Sequence, residues 1–335
     1  MASTLIFVTL FCVVAVLVYM ARYSGRVRVT QSRVIHAPIE QVFAKVVDFQ
    51  QWGAWNPWLA HEPGAELTVS GTSGQPGSEC AWDSDKAGMG VIRLVRIATL
   101  KSIEQRMQLK QPFVVHGRSR WTFTEREGMT EVTWQIKARV AFTMRAFSQT
   151  VKGALELDSR YGLDRLASLL EPTDAPRYQL SVLGLQEAPA CRYVYQTYQG
   201  TIKGLPAAMQ ECFSGLHSQL AVLGISPVGA PLALYTRTNI KLRTTVCLMG
   251  LPIGDAEVGD MPVRNMPAQR VFRVVLQGDH SALELAWYLA MQRMTQDKLK
   301  PDQRSPPFET HVFNASTAPS NDWITEVNVP VLVTN

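Results

Sequence analysis

The stretch PFETHVFN, residues 307–314, places a carboxylate in the middle of a predicted β-strand. Because side chains alternate along a strand, Glu309 shares its face with His311 and Phe313. A carboxylate on a solvated face needs no partner, whereas a carboxylate on a buried face is costly unless a cation or hydrogen-bond donors compensate it. Glu309 is therefore either a surface acid of an edge strand or the anionic group of a buried site.

The composition limits the kinds of site that can surround this acid. With 335 residues, 46% of them hydrophobic, the chain is long and apolar enough for two domains with their own cores. Lysine and arginine exceed aspartate and glutamate by only 33 to 28, without a basic run, so no nucleic-acid partner is predicted. The five cysteines and six histidines show no metal-ligand spacing, and the odd number of scattered cysteines does not indicate a disulfide framework.

The sequence contains no motif of a common catalytic or cofactor site. It lacks a GxSxG elbow, a Walker A loop, a GxGxxG turn after a strand and an HExxH helix. We therefore predict neither a cofactor nor a metal, and the sequence by itself does not predict an enzyme.

The first residues predict a membrane anchor. Residues 4–21 carry no charge and are just long enough to span a bilayer, and four arginines follow between residues 22 and 33 without an intervening acid. A signal peptide normally carries a basic residue ahead of its apolar run, and none precedes this one. We expect residues 1–23 to be a single-pass anchor in the cell membrane, with the rest of the chain in the cytoplasm.

Residues 26–170 predict a strand, a short amphipathic helix, a tryptophan-rich loop, several antiparallel strands and a long helix over about 144–170. This order, together with the stretches APIEQVFAKVVDFQQWGAWNPW and TEVTWQI, resembles the START-like superfamily SRPBCC, particularly its polyketide cyclase-like branch. The resemblance implies an α+β helix-grip domain, in which an antiparallel sheet surrounds the long C-terminal helix and leaves an apolar cavity between them.

Six aromatic residues are candidates for lining that cavity. Trp121, Phe123 and Trp134 alternate onto the face of the sheet that the long helix would cover. Trp52, Trp55 and Trp58 are spaced by three residues and indicate either packing over the open end of the sheet or a cavity mouth, where indoles suit an amphiphilic ligand. The candidates are Trp52, Trp55, Trp58, Trp121, Phe123 and Trp134.

The second half contains an internal repeat, which follows a linker, EPTDAP, predicted at residues 171–176. Two unrelated pairs of stretches, YVYQTYQG with VFRVVLQG and VCLMGLPI with TEVNVPVL, both recur at a distance of 78 residues. This predicts two copies of a strand–helix–strand–strand unit, about 191–253 and 269–331.

Residues 177–335 resemble the GyrI-like domain, also called the AraC-type effector-binding domain, over nearly their whole length. The stretches that carry the resemblance are YQTYQG, LGISPVGAPLALYT, NMPAQRVFRVVLQGDHSAL, PFETHVF and WITEVNVPV. The resemblance implies two units that face each other across a cleft for hydrophobic, cationic or planar small molecules, with an acid at the position of Glu309 pointing into it. The other side chains expected at the cleft are Tyr235, Trp287, Tyr288, His311 and Phe313.

Two departures from the family pattern concern the ligand. The family usually has a tyrosine where this chain has His311, and a small residue followed by tyrosine where this chain has His280 and Ser281. We therefore expect the cleft to be kept and its ligand to differ. The ligand is either a cation that pairs with the carboxylate or a neutral polar molecule that His311 helps to bind.

Three functions are compatible with these features. The favoured one is a membrane-anchored, non-catalytic binding protein for hydrophobic or cationic small molecules, lipid-like or drug-like, with one apolar cavity in each domain. The alternatives are a cyclase or hydrolase with Glu309 as general base, and a protein-binding role like that of GyrI-like gyrase modulators, for which an acidic surface is expected. Transcription regulation is disfavoured, because the residues between the anchor and the first strand leave no room for a helix-turn-helix segment.

Overall fold

A computed structural model describes residues 14–15, 18–59, 66–84, 88–111, 114–171, 178–239, 242–313 and 322–332. The chain divides into two compact units, Met1–Ala175 and Pro176–Asn335. Most of the predicted anchor, residues 4–21, lies outside the described residues. Within the described residues, no helix has the length and apolar character needed to cross a membrane.

The described part of the first unit contains an antiparallel sheet and two complete α-helices, and residues 14–15 and 18–21 are helical as well. Its strands are β1 Arg26–Ile35, β2 Leu67–Ser70, β3 Glu79–Ser84, β4 Gly88–Ala98, β5 Ser102–Leu109, β6 Val115–Arg126 and β7 Met129–Val140. Its helices are α1 Ile39–Val47 and α2 Ser148–Leu170, and 3₁₀ turns occupy Phe49–Ala54 and Phe142–Phe147.

The seven strands are ordered β1-β7-β6-β5-β4-β3-β2. Alternation turns one face of each strand inward, and along β7 the side chains of Val132, Trp134 and Ile136 are buried. Helix α2 packs onto this face through a stripe that includes Val151 and Leu155. The predicted helix-grip arrangement, an antiparallel sheet around a long C-terminal helix, is confirmed.

The start of that helix differs from the prediction. The α-helix begins at Ser148 rather than near residue 144, because Phe142–Phe147 forms a 3₁₀ turn. Phe147 falls within the range of the predicted helix, but its side chain is exposed. The tighter 3₁₀ periodicity rotates it away from the α-helical positions that follow. At the other end, Glu171 is buried against Arg33 and His36, so this residue of the predicted linker packs onto the first unit.

The described part of the second unit is a larger antiparallel sheet with two α-helices. Its strands are β8 Gln179–Ala188, β9 Cys191–Thr201, β10 Leu232–Asn239, β11 Thr244–Pro252, β12 Val263–Met266, β13 Gln269–Gln277, β14 Phe308–Phe313 and β15 Ile324–Pro330. Its helices are α3 Leu205–Val222 and α4 Leu283–Gln296, each preceded by a short 3₁₀ turn.

The predicted repeat is confirmed by the topology of this sheet. The strand order is β12-β9-β11-β10-β14-β15-β13-β8, so β9-α3-β10-β11 and β13-α4-β14-β15 are two copies of one unit that meet at β10 and β14. Helix α3 packs on β9 and β11, and helix α4 packs on β13 and β15. The two central strands therefore lie between the two helices.

The register shows that the repeat is uneven at its centre. Ala233 pairs with Met249 in one copy, and Glu309 pairs with Val327 in the other. Met249 and Val327 are 78 residues apart, whereas Ala233 and Glu309 are 76 residues apart. Ala233 is thus the counterpart of Glu309, and the two residues also pair with each other. At the centre of the sheet, the second copy of the unit therefore carries an acid where the first copy carries the methyl group of an alanine.

Candidate functional site

Glu309 lies at the centre of the second sheet and faces its helices. Directly opposite residues of antiparallel strands share a face, and Glu309 lies opposite Ala233 on β10 and Val327 on β15. Ala233 packs with side chains of α3, and Val327 packs with side chains of α4. The carboxylate is 0% exposed. Of the two alternatives that the sequence leaves open, the structure shows a buried acid rather than an acid on a solvated edge.

Two aromatic side chains lie against this carboxylate. The indole Nε1 of Trp287, on α4, donates a hydrogen bond to Oε1 of Glu309 at 2.5 Å. Tyr235, on β10, lies beside the carboxyl group and lowers its pKa, and its ring meets the ring of Trp287 edge to face at 5.3 Å between centroids. The second oxygen, Oε2, has no hydrogen-bond partner among the described residues. We call Glu309, Tyr235, Trp287 and His311 the acid site.

His311 lies two residues further along the same strand face and is also buried. Its Nε2 is 3.7 Å from Oε2 of Glu309, which is too long for a hydrogen bond. Within the described part of the chain, neither ring nitrogen of His311 has a hydrogen-bond partner. Phe213 of α3 and His280 approach the imidazole at 5.8 and 5.5 Å between ring centroids. The acid site therefore contains buried polar atoms that lack partners among the described residues, and aromatic rings from both helices, Trp287 and Phe213, lie against it.

Burial sets the protonation of this site. Desolvation raises the pKa of Glu309 from 4.5 to about 7, although the hydrogen bond from Trp287 and the neighbouring Tyr235 act in the opposite direction. Desolvation lowers the pKa of His311 from 6.5 to about 3, with a further contribution from His280. These shifts favour a neutral imidazole and, below about pH 7, a neutral carboxyl group at this site. A bound cation would reverse the balance at Glu309.

The other predicted cleft residues are placed less fully. Tyr288 is half-buried beside Trp287 on α4, and the side chain of Phe313 lies outside the described part of the chain. Their contact with a ligand stays a prediction. The sequence did not predict a role for Phe213, or for His280, which was noted only as a departure from the family pattern. Among the described residues, no group of three metal-ligating side chains is present.

The six aromatic candidates of the first unit are all buried in its core. Rings of this set pack against one another, with Trp121 and Trp134 stacked at 4.1 Å between centroids. The indole N–H groups of Trp52 and Trp55 donate to the backbone carbonyl groups of Val46 and Lys45, respectively. The indole N–H groups of Trp58, Trp121 and Trp134 donate to Asp158 Oδ2, Gln105 Oε1 and Ser119 Oγ, respectively. Phe123 packs edge to face on Phe43.

Of the two alternatives for the loop tryptophans, this arrangement agrees with packing over the end of the sheet rather than with a cavity mouth. Trp52 and Trp55 are 0% exposed, because their indoles turn inward to donate to carbonyl groups near the end of α1. Residues at an open mouth would keep part of their rings in solvent. That the six aromatic residues contact a ligand stays a prediction.

Comparison with known proteins bears mainly on the first unit. Residues 26–171 match the family model of polyketide cyclase / dehydrase and lipid transport. The matched range coincides with the helix-grip sheet and its long helix. No curated protein matches the sequence.

Solved structures resemble parts of the chain. Protein CV1439 from Chromobacterium violaceum is 16% identical, with a TM-score of 0.35 over 43% of this chain and 97% of that one. The C-terminal domain of EcmrR is 19% identical, with a TM-score of 0.38 over 47% of this chain and 99% of that one. SAV2435 bound to tetraphenylphosphonium is 15% identical, with a TM-score of 0.36 over 47% of this chain and 94% of that one. At these identities and TM-scores, the similarities carry no argument about the acid site.

Proposed function

We propose that this protein binds hydrophobic or cationic small molecules, and that the acid site binds the cationic group. The observation that carries the proposal is the buried carboxylate of Glu309, whose Oε2 has no hydrogen-bond partner among the described residues. An unsatisfied buried acceptor costs about 1–3 kcal/mol, and more when it is charged. A ligand that brings a positive charge to Oε2 removes this cost.

The rings around Glu309 favour a bulky apolar cation over a small hydrated one. Tyr235 and Trp287 are half-buried residues beside the buried acid. A cation over the face of such a ring gains about 0.5–2 kcal/mol, depending on how far it is desolvated. His311 and Phe213 extend the apolar and aromatic wall. Tetraphenylphosphonium, a monocation covered by phenyl rings, has the chemistry that this site would bind.

The experiment is a titration of the protein with tetraphenylphosphonium by calorimetry at pH 8, where Glu309 is ionised. The substitution Glu309→Gln keeps the side-chain shape and removes the charge. We expect it to weaken binding about ten- to a hundredfold, which corresponds to the loss of a charge-assisted interaction.

The matched control is Glu187→Gln. Glu187 is an exposed acid whose ion pair with Arg270 spans 3.7 Å, and its substitution changes the net charge by the same amount. We expect this variant to bind like the parent. Equal affinity of the parent and Glu309→Gln would exclude the carboxylate from the binding site.

A second function is favoured by one specific observation, the pKa of about 7 at Glu309. A general base works best when its pKa is near the operating pH, so the same carboxylate has the properties of the base of a cyclase or hydrolase. This alternative predicts turnover of a hydrophobic ester or polyketide-like substrate that Glu309→Gln abolishes. Binding without turnover by the parent supports the first function.

For the first unit we propose a second small-molecule site between the sheet and α2. Support comes from two buried donors in that interior, Nε1 of Trp82 and Nε2 of Gln105, which have no acceptor among the described residues. The family description, which includes lipid transport, is consistent with an apolar ligand that carries acceptor oxygens. We also propose that residues 4–21 anchor the protein in the cell membrane, with both units in the cytoplasm.

A further inference from the structure

The first sheet carries a concentration of positive charge on the face opposite its core. A depression of about 640 Å³ lies on this face and is lined by residues of β1, β5, β6 and β7. The cationic side chains that line it are all exposed. They are Arg26, Arg28, Arg106, Arg118, Lys137 and Arg139, which together we call the basic face.

The register of the sheet aligns these side chains in rows. Arg28 pairs with Lys137, Lys137 pairs with Arg118, and Arg118 pairs with Arg106. Neighbouring strands are about 4.8 Å apart, so four positive charges lie side by side across four strands. A second row begins with Arg26 paired with Arg139. Like charges directly opposite each other destabilise a sheet, so this arrangement works against folding.

Acidic side chains do not compensate this charge. Elsewhere in the same sheet, arginines have acidic partners, as in the pairs Arg120–Glu104 and Arg126–Glu131. None of the six cations of the basic face makes an ion pair within the described residues, and none of the described residues that line the depression is an acid. The charge is therefore available to an external anion.

The position of the basic face in the chain indicates which anion. Strand β1 begins at Arg26, a few residues after the uncharged run of residues 4–21. A lipid bilayer offers an apolar interior for such a run and, at its surface, anionic headgroups for the cations that follow. Single-stranded nucleic acid is disfavoured, because its binding surfaces combine positive charge with stacking aromatic rings, and the described lining contains no Phe, Tyr or Trp. We propose that the basic face binds the anionic headgroups of a phospholipid surface.

The experiment measures binding of the full chain to two kinds of vesicle by sedimentation. One kind is pure phosphatidylcholine, and the other contains equal parts of phosphatidylcholine and phosphatidylglycerol. The ratio of the two affinities isolates the electrostatic contribution from that of the apolar run. The test variant is Arg28→Gln/Arg118→Gln/Lys137→Gln. Each cation near an anionic surface contributes about fivefold in affinity at moderate salt, so we expect the ratio to fall roughly a hundredfold.

The control variant is Arg120→Gln/Arg126→Gln/Arg270→Gln, which removes three exposed positive charges that already have acidic partners. We expect it to keep most of the parental ratio. Thermal unfolding by circular dichroism verifies that both variants are folded. The proposal is overturned if the test variant keeps the parental ratio, or if the control lowers the ratio as much. It is also overturned if the test substitutions abolish binding to an oligonucleotide and leave vesicle binding unchanged.

Discussion

The two sheets carry ionisable side chains in opposite settings. In the second sheet, Glu309 is fully buried between two helices, and its pKa is raised to about 7. In the first sheet, the cationic side chains of the basic face are exposed to solvent. The residues that alternate with them along the strands, such as Val27 and Ala138, are buried in the core. Both arrangements cost folding free energy, since one buries a charge and the other crowds like charges.

The two regions differ in how a bound ligand would offset this cost in folding free energy. A cation at Glu309 would have to be partly desolvated, so binding there should depend strongly on pH and on the shape of the ligand. An anionic surface at the basic face stays hydrated, so binding there should depend on ionic strength and little on shape. Sites of both kinds keep polar groups that the fold itself does not satisfy.

The largest expected effect is on stability at the acid site. A carboxyl group whose pKa rises from 4.5 to about 7 on folding contributes stability that is fully present below about pH 4.5 and is lost as the pH rises through 7. The parent should therefore lose about 3 kcal/mol of unfolding free energy relative to Glu309→Gln between pH 4 and pH 8. Urea unfolding of both proteins across this range measures the difference.

Neighbouring titratable groups should not mask this effect. His311 changes stability in the opposite sense, because its pKa is lowered, but it is present in both proteins and its contribution cancels in the difference. His280 also cancels in this way, while Tyr235 and Cys247 have raised pKa values and stay protonated throughout. A difference that does not vary with pH would mean that Glu309 has an ordinary pKa, and the contrast between the two sheets would disappear.

A smaller effect is expected at the basic face. Arg118 lies between Lys137 and Arg106, so Arg118→Gln removes two like-charge contacts and should raise the unfolding free energy by about 0.2–1 kcal/mol at low salt. Arg120→Gln, two residues along the same strand, removes a charge paired with Glu104 and should give no increase. Urea unfolding at low and high salt compares the two. An equal response of both variants would show that the basic face is not electrostatically strained.

The sequence predicted the fold more completely than the sites. The α+β class, the helix-grip sheet and the repeat follow from periodicity, spacing and family resemblance, because these patterns are local or recur at a fixed distance. The burial of Glu309 required the register that places it opposite Ala233 and Val327. The basic face was missed because Arg28, Arg106 and Arg118 are far apart in sequence and occupy solvated strand positions, which individually indicate nothing unusual. Only strand pairing brings them together.

The most direct test of the central claim is the number of protons released when tetraphenylphosphonium binds. Calorimetry in buffers of different ionisation enthalpy measures this number at pH 6 and at pH 8. With a pKa of about 7 in the free protein, Glu309 is about nine-tenths protonated at pH 6, so binding should release close to one proton there and almost none at pH 8. Glu309→Gln should release none at either pH. Tight binding by the parent at pH 6 without proton release would contradict the proposal that this carboxylate pairs with the cation.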